Sequence, residues 1–308
     1  MLNFPLINNS QSRYFLPAKR CLSAAKMSAP SFTSCSGDVK DPDGNLLYRI
    51  NTRLFRTDLM WDDFADFLFE KYKNEEKVNV ICHACSAGYE PYSLASLLMV
   101  RCSESADKFL PIKAKDIDNN CIAKAKRGFL NINMAERMYA EFCLNGQFLK
   151  YYKKLSGDVK EEKVEVADEL RQNVLFERSD IKDSKKEISK DNTVLFFRNV
   201  WAYLNTADIV DLAGMLAANM KNNSLLVIGE WDKEYGIDRL IEAFGFRETH
   251  IMNVYEPPGN SIKTKIRANI IAKNFKAQLP SGQLCSVCAK DSLKNITKSS
   301  DNIFSANA

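Results

Sequence analysis

Histidine is scarce in this sequence, and the cysteines form no metal-binding pattern. The 308 residues include only two histidines, His83 and His250. A structural zinc site needs about four ligands, and the pair Cys285-x-x-Cys288 has no second pair to complete it. Cys82, His83 and Cys85 would point alternately to opposite faces of a strand. We therefore interpret these three as packing residues and expect no metal site.

Long apolar runs are also missing. No window reaches the roughly 18 uncharged apolar residues of a membrane span, so we expect no membrane insertion. The first 37 residues lack the continuous apolar stretch of a secretory signal. The nine cysteines are odd in number and irregularly spaced, which is typical of a reducing compartment. Together these absences predict a cytoplasmic protein.

Acidic residues are absent from the first 37 positions, which hold four basic residues. Removing those four from the 43 basic residues leaves 39, equal to the 39 acids. The rest of the chain is therefore neutral, and the total charge gives no sign of a nucleic-acid footprint. The start of the chain is similar in composition to an organelle transit peptide, although a disordered extension is the simpler interpretation.

Strand-like and helix-like segments alternate through the middle of the chain. The predicted strands are residues 78–83, 112–115, 174–177, 193–197, 224–229, 247–255 and 265–273. The predicted helices are one capped by Thr57 or Asp58, then residues 90–101, a helix closing at Gly128, and residues 135–142, 206–220 and 237–244. This alternation implies an α/β fold with a mostly parallel, doubly wound sheet of seven strands.

Three regions are expected along the chain. Residues 1–40 are predicted to be a disordered extension, residues 41–275 one domain, and residues 276–308 a disordered tail. A turn is predicted at Asp41–Gly44. A polar hairpin from Phe148 to Val166, with its turn at 156–158, interrupts the alternation. We expect it to form a small inserted β-subdomain at about residues 145–170.

Polar residues follow the predicted strands at the edge where ligands of such sheets bind. Residues 84–90 follow the first strand, Asp116 the second, Asp180 the third, and Arg198 with Asn199 the fourth. Asp116 lies at the distance from the first turn that suits an acid holding ribose hydroxyls. Each acid alone could instead be a solvated loop charge or a helix cap. Four such groups at consecutive strand ends favour a nucleotide-type site.

The same segments resemble a known family. Residues 84–93 (ACSAGYEPYS), 115–118 (KDID) and 197–203 (FRNVWAY) look like three successive motifs of the CheR-type methyltransferases. Residues 54–57 (LFRT) resemble the family's phenylalanine–arginine motif, and the similarity covers about residues 45–273. These enzymes transfer a methyl group from S-adenosyl-L-methionine to glutamates of chemotaxis receptors. The resemblance implies a class I, Rossmann-like methyltransferase fold.

The resemblance also implies roles for individual residues. Arg56 and Tyr203 match the active-site arginine and a tyrosine facing the transferred methyl group. The positions that match cofactor contacts are Thr52, Arg56, Glu90, Asp116, Asp180, Ile181, Arg198 and Asn199. A carboxylate acceptor is already ionised at neutral pH. Catalysis should therefore depend mainly on positioning, with Arg56 holding the acceptor through paired hydrogen bonds.

Several positions depart from the family pattern. Ile50 replaces an asparagine, Tyr89 a second acid, and Asp180 an asparagine, while residues 229–232 (GEWD) shorten a later motif. The family's helical N-terminal domain, which helps engage receptors, has no counterpart in residues 1–40. Two alternatives therefore stay open. One is a methyltransferase of the same scaffold with another acceptor, and the other is a non-catalytic module that has lost activity. The oligomeric state is not predicted.

Overall fold

A computed structural model describes residues 37–40, 46–50, 52–158, 161–259 and 261–278. The strands in chain order are β1 (Gly37–Lys40), β2 (Leu46–Ile50), β3 (Asn79–His83), β4 (Ile112–Asp116), β5 (Phe129–Asn133), β6 (Tyr152–Gly157), β7 (Glu161–Val166), β8 (Val174–Arg178), β9 (Thr193–Phe196), β10 (Leu225–Val227), β11 (Arg247–Glu248) and β12 (Val254–Glu256). The helices are α1 (Trp61–Lys71), α2 (Tyr89–Arg101), α3 (Asn119–Arg127), α4 (Met134–Cys143), α5 (Phe148–Tyr151), α6 (Asp168–Gln172), α7 (Lys185–Ile188), α8 (Thr206–Asn219), α9 (Glu230–Glu234), α10 (Ile237–Ala243) and α11 (Ile262–Gln278). Short 3-10 helices occupy Ala106–Lys108, Ile181–Ser184 and Trp201–Tyr203.

A seven-stranded sheet forms the centre, in the order β11-β12-β10-β9-β3-β4-β8. The five strands from β10 to β8 are parallel, and β12 and β11 add an antiparallel edge. The predicted mostly parallel α/β sheet of seven strands is confirmed. Since the carboxyl ends of parallel strands share one edge, the loops that follow β3, β4, β8, β9 and β10 meet there.

The central strands are apolar because both faces of the sheet are covered. Val194 and Phe196 of β9 belong to a core cluster that includes residues of α1 and α2. Leu195, between them, belongs to a second cluster with residues of α8 and α10. This alternation follows from the period of two along a strand, and it explains why these strands are continuous apolar runs in the sequence.

Local signals set the ends of the first two helices that follow the sheet strands. Gly88 precedes α2 with φ 88°, in the left-handed region that favours glycine. The carboxylate of Asp118 caps α3 by accepting the backbone N–H of Asn120, and Gly128 closes that helix with φ 68°. Proline at Pro91 is tolerated because the first-turn N–H groups have no partner within a helix.

A second sheet, of three antiparallel strands in the order β5-β7-β6, lies between α3 and α6 in the chain. The predicted hairpin starts later than expected, since Phe148–Tyr151 is the short helix α5 and β6 begins at Tyr152. Strand β5, which pairs Leu130 with Val164, is not predicted from the sequence. Its alternation of exposed and buried residues covers only five positions, too few to distinguish it from a loop.

Two predictions near the end of the domain are wrong. Residues 247–255 are not one strand but contain β11, a turn and the start of β12. Residues 265–273, predicted as a strand, lie within α11. The hydroxyl of Ser261 accepts the N–H of Thr264 at 3.0 Å and caps this helix. Ala268 and Ile271, three residues apart, are then buried on one side of it, which is a helical spacing.

The predicted cap of α1 is also wrong. The helix begins at Trp61 with Met60 at its N-cap and no side-chain cap. Asp58 lies two residues before that position, and its side chain binds Arg198. The predicted turn at Asp41–Gly44, the pair Cys285 and Cys288, and most of both terminal segments lie outside the described residues. No helix in the described ranges is both long enough and apolar enough to cross a membrane.

Candidate active site

The turn after β3 holds three residues in left-handed backbone conformations. The φ angles are 56° at Ala84, 49° at Ser86 and 88° at Gly88. For a residue with a Cβ this conformation costs on the order of 1–2 kcal/mol, and it persists only where surrounding structure enforces it. At Gly88 an added Cβ would lie 3.0 Å from the ring of Phe176. Both the backbone conformation and the packing therefore require glycine there.

Asp116, the last residue of β4, ties this turn to the neighbouring strand. Its carboxylate accepts the backbone N–H of Ser86 at 2.7 Å and that of Asp118 at 3.0 Å. Burial raises the pKa of Asp116, while these two hydrogen bonds act to lower it. The Asp116 carboxylate has four lone pairs in all, so it can still accept hydroxyl groups of a ligand. The nearby Ser86 hydroxyl is buried without a partner among the described residues.

Arg198, just beyond β9, is the centre of a buried charge cluster. One guanidinium nitrogen donates to Glu90 of α2 at 2.7 Å, and another donates to Asp58 in the loop before α1. The guanidinium also lies 5.6 Å from the centre of the Trp61 ring. Two carboxylates from distant parts of the chain thus share one arginine, in line with the rule that buried charges are paired.

The pKa values of Arg198 and Asp58 reflect that pairing, whereas burial raises the pKa of Glu90 despite the nearby Arg198. Burial disfavours the charge of Arg198, but Glu90 and Asp58 outweigh it and raise the Arg198 pKa. Burial acts to raise the pKa of Asp58, yet Arg198 and the N–H of Glu230 hold it below its ordinary value. The folded state therefore favours the charged forms of Arg198 and Asp58.

Arg56 enters the same region on a loop that two hydrogen bonds hold in place. The indole N–H of Trp61 donates to the carbonyl oxygen of Arg56 at 2.8 Å. The N–H of Phe55, whose φ is 46°, donates to the hydroxyl of Ser93 on α2 at 2.9 Å. Burial lowers the pKa of Arg56, while Glu90 acts to raise it. The loop and the start of α2 therefore position Arg56 within electrostatic range of the cluster.

Asp232, on α9, positions the loop that carries Arg198 and Asn199. This fully buried carboxylate accepts the backbone N–H groups of Gly229 at 2.8 Å, Asn199 at 2.6 Å and Trp201 at 3.3 Å. Asn199 has φ 56°. Burial raises the pKa of Asp232 from 3.8 to about 7. A Cβ at Gly229 would lie 2.2 Å from the Asn199 side chain, so glycine is required there by close packing.

Tyr203 begins a row of aromatic rings beside this loop. Its ring centre is 5.4 Å from that of Trp231, which is 5.3 Å from that of Tyr235. All three side chains are half-buried. They offer an apolar surface with polar tips, which suits a wall that contacts a ligand.

Asp180 and Ile181 lie at the end of β8. The carboxylate of Asp180 accepts the N–H of Lys182 at 2.9 Å and caps the 3-10 helix Ile181–Ser184. Ile181 is buried in the second core cluster. Ser184 forms a 2.7 Å hydrogen bond to His83 at the end of β3. Burial and Lys115 lower the pKa of His83 to about 3, so His83 is neutral.

Thr52, a predicted cofactor contact, and Tyr89, a departure from the family pattern, lie outside the charge cluster. Thr52 is half-buried and forms no hydrogen bond to the cluster among the described residues. The hydroxyl of Tyr89 donates to the carbonyl of Asn131 at 3.0 Å and accepts its N–H at 2.9 Å. Tyr89 therefore joins α2 to β5 of the small sheet, which is a physical reason for a tyrosine at that position.

The structure thus brings Arg56, Glu90 and Arg198 together, with Asn199 alongside. Sequence reasoning missed Asp58, Asp232 and His83 as organising residues. The sequence predicts Asp58 only as a candidate helix cap, and residues 229–232 give no signal beyond a shortened motif. Each has a partner at least 33 residues away in the chain, so no local pattern could have identified these contacts. The described residues contain no group of three or more histidine, cysteine or acidic side chains able to hold a metal ion.

A family model and two related proteins indicate the same family for this chain. Residues 51–244 match the family model described as CheR methyltransferase, SAM binding domain. The chain is 27% identical over 243 residues to the chemotaxis protein methyltransferase of Borreliella burgdorferi, covering 72% of this chain and 81% of that protein. It is 25% identical over 206 residues to chemotaxis protein methyltransferase 2 of Pseudomonas aeruginosa, covering 67% and 69%.

Among solved structures, magnesium protoporphyrin IX methyltransferase from Synechocystis PCC 6803 with bound SAM matches with a TM-score of 0.31. The two chains are 13% identical, and the match covers 64% of this chain and 76% of that one. A TM-score this low adds nothing to the fold, which is established by the sheet described above.

Proposed function

This chain belongs to the CheR methyltransferase family, and from that premise we propose that it methylates a protein carboxylate, with a glutamate of a chemotaxis-type receptor as the first candidate acceptor. The observation that carries the proposal is the position of Arg56. It lies within electrostatic range of Glu90, Arg198 and Tyr203, beside the loop that follows β9. An arginine there can meet a carboxylate acceptor at the edge of the sheet where the cofactor binds.

The residues present fit S-adenosyl-L-methionine, the cofactor of the family. Asp116 offers carboxylate oxygens at a strand end, and the Ser86 hydroxyl beside it is a buried polar atom without a partner among the described residues. Both suit the hydroxyl groups of a ribose. Gly88 is the one glycine of the turn, where a pyrophosphate-binding fingerprint has three. A ligand without a pyrophosphate is therefore favoured.

We further propose that Asp180 and Ile181 lie beside the adenine and that Arg198 and Asn199 lie near the methionyl end. Thr52 is proposed as a further cofactor contact. Glu90 would contact the cofactor while remaining paired with Arg198. Asp180 already accepts one backbone N–H, and its other oxygen can accept an amino proton. These assignments come from the family resemblance. The positions of Asp180, Ile181, Arg198 and Asn199 after consecutive strands support theirs.

The proposed mechanism depends on positioning. When bound, the cofactor supplies a methyl group on a positively charged sulfur. The acceptor carboxylate has an ordinary pKa near 4.3, so the protein needs no general base at neutral pH. Arg56 would hold the two carboxylate oxygens through paired hydrogen bonds, and Tyr203 would form the wall beside the transferred methyl group. Alignment of the reacting atoms then accounts for most of the rate.

The direct test is methyl transfer from labelled cofactor to receptor fragments, scored as base-labile methyl ester. We expect Arg56→Ala to lower kcat/KM at least about a hundredfold, the scale of a lost charge-assisted pair in a buried site. Arg247→Ala, an exposed arginine on β11, is the matched control and should retain activity. Unchanged transfer in Arg56→Ala would refute the role given to Arg56.

A second candidate is the same reaction class with a different acceptor. The row of rings at Tyr203, Trp231 and Tyr235 favours it, because such a wall can select an apolar group next to the methylated atom. Cofactor turnover with an acceptor other than receptor glutamates, without formation of methyl ester, would support this candidate over the first.

A further inference from the structure

Helix α11 has one side in the core and an opposite side of exposed isoleucines. Ala268 and Ile271 are buried, and α11 packs along α8. Ile262, Ile266 and Ile270 are 78%, 55% and 54% exposed. Residues four apart lie above one another on a helix, so these three isoleucines form a continuous apolar stripe. This stripe lies on the side of α11 opposite to the core.

Positive charge accompanies the stripe. Between Ile262 and Lys273 the helix contains Lys263, Lys265, Arg267 and Lys273 and no acid. At 100° per residue, Lys263 and Lys265 fall on opposite sides of the stripe. The outward side of α11 thus combines an apolar stripe with flanking lysines, as the membrane-facing side of an interfacial helix does.

The positive charge of α11 also argues against two other binding partners for the isoleucine stripe. A second copy of this face would bring lysines against lysines, which is unfavourable. The terminal segments of this chain are not complementary either: residues 1–36 contain no acid, and residues 279–308 contain two acids and three lysines. The occupant must therefore be acidic and must accept an apolar stripe.

A lipid surface fits these requirements better than an acidic protein. Ile262, Ile266 and Ile270 are each more than half exposed on the outward side of α11, so they can enter the apolar boundary of a lipid surface directly. The lysine stems on both sides are long enough to lie along the apolar boundary with their ammonium groups among the headgroups. Binding of this kind increases with buried apolar area and with attraction to anionic lipid.

We propose that α11 docks this protein on an anionic lipid surface. The helix lies in the plane of the interface, with the isoleucine stripe at the boundary between headgroups and acyl chains and the lysines on the headgroup anions. It does not cross the bilayer. This docking is separate from methyl transfer, so it can be tested whether or not the proposed function is correct.

The test is co-sedimentation of the full chain with vesicles of phosphatidylcholine, with and without about one third phosphatidylserine. We expect binding to the anionic vesicles and at least about a tenfold lower partition coefficient in Ile266→Asp and in the double variant K263E/K265E. The matched controls are Met138→Asp, an exposed apolar residue of α4, and K185E/K186E on α7. Both controls should bind as the wild-type chain does. The acid-free N-terminal segment is present in every variant, so the difference reports on α11 alone.

Three results would overturn the proposal. One is no binding of the wild-type chain to anionic vesicles. Another is a loss of binding with K263E/K265E but not with Ile266→Asp, which would mean electrostatic adsorption without docking of the stripe. The third is wild-type binding to polyglutamate that Ile266→Asp abolishes, with no binding to vesicles, which would indicate an acidic protein partner. Circular dichroism melting of each variant distinguishes lost binding from lost folding.

Discussion

At the scale of single residues, the candidate site contains a balance of buried charges. Asp58 and Glu90 face Arg198, and Arg56 lies within range of all three. The formal charges of these two acids and two bases balance. Removing one partner of a buried pair costs about 3–5 kcal/mol because the other charge remains uncompensated. For that reason Asp58, although it matches no assigned role, belongs to the architecture of the site.

Asp116 offers a prediction about cofactor affinity. We expect Asp116→Asn to raise the Kd for S-adenosylhomocysteine by roughly 10–100-fold, since a lost hydrogen bond to a charged group costs about 1.5–3 kcal/mol. Isothermal titration calorimetry measures this. Asp107→Asn, an exposed aspartate, is the control and should leave the Kd unchanged. If Asp116→Asn folded normally and bound as tightly as the wild-type chain, Asp116 would not hold the ribose.

Asp232 offers a prediction about pH. Its pKa is raised from 3.8 to about 7 in the folded protein, so between those values the folded state holds a proton that the unfolded state has released. The contribution of Asp232 to the unfolding free energy therefore falls as pH rises from about 4 to about 7. Above about pH 7 it no longer changes. Asp232→Asn removes this pH dependence, which amounts to at most about 4 kcal/mol of unfolding free energy.

The measurement is the urea unfolding free energy of both proteins from pH 4 to pH 8. We expect the wild-type chain to lose stability relative to Asp232→Asn as pH rises across this window. Other carboxylates titrate alike in both proteins, so they cancel in the difference. Parallel curves would show that the three N–H bonds and Arg198 keep Asp232 ionised throughout.

At the scale of helices and strands, the sequence predicts correctly those elements whose form is determined by local patterns. Strands β3, β9 and β10 are short, largely apolar runs buried on both faces. The predicted bounds of the five parallel strands agree with the structure within two residues. Helix α11 was predicted as a strand because residues 265–273 include Ile266, Ile270 and Ile271. Its helical form depends on a cap at Ser261 and on packing against α8, and the packing is a long-range contact.

The candidate site likewise combines residues that local motifs identify with residues whose roles depend on distant contacts. Arg56, Glu90, Asp116 and Arg198 follow from motifs at strand ends, so sequence could identify them. Asp58 and Asp232 act through partners 140 and 33 residues away, and their roles appear only in the fold. Tyr89 similarly departs from the family pattern in sequence, while the structure gives it a partner at Asn131.

The contact between α8 and α11 can be tested at Gly214. A Cβ there would lie 3.3 Å from the ring of Phe244 and 3.7 Å from the Cβ of Ala272, so there is little room for a larger side chain. We expect Gly214→Val to lower the unfolding free energy by about 1–3 kcal/mol through overpacking. Ala207→Val, at an exposed position of the same helix, should cost under about 1 kcal/mol. Urea denaturation of both variants measures the difference, and equal losses would show that the helices are not closely packed there.

At the scale of the whole molecule, the candidate site joins segments that are distant in sequence. Its residues come from the loop before α1, the ends of β3, β4, β8 and β9, and the start of α9. Residues of both core clusters lie beneath these ends, because the sheet divides the two clusters. A ligand that binds across the strand ends therefore contacts parts of the fold that unfold together, and its binding energy should add to global stability.

The melting temperature of the protein should therefore depend on the cofactor ligand. A ligand that binds only the folded state at about one hundred times its Kd adds about 2.7 kcal/mol of stability. For a domain of this size, that corresponds to a rise in Tm of several degrees. Differential scanning fluorimetry should show this rise with S-adenosylhomocysteine, and a smaller rise in Asp116→Asn at the same concentration. ATP should give none, because the turn at Gly88 lacks the glycines that a pyrophosphate needs. A folded wild-type chain whose Tm does not respond to S-adenosylhomocysteine would point instead to a non-catalytic module that has kept the fold and lost the cofactor.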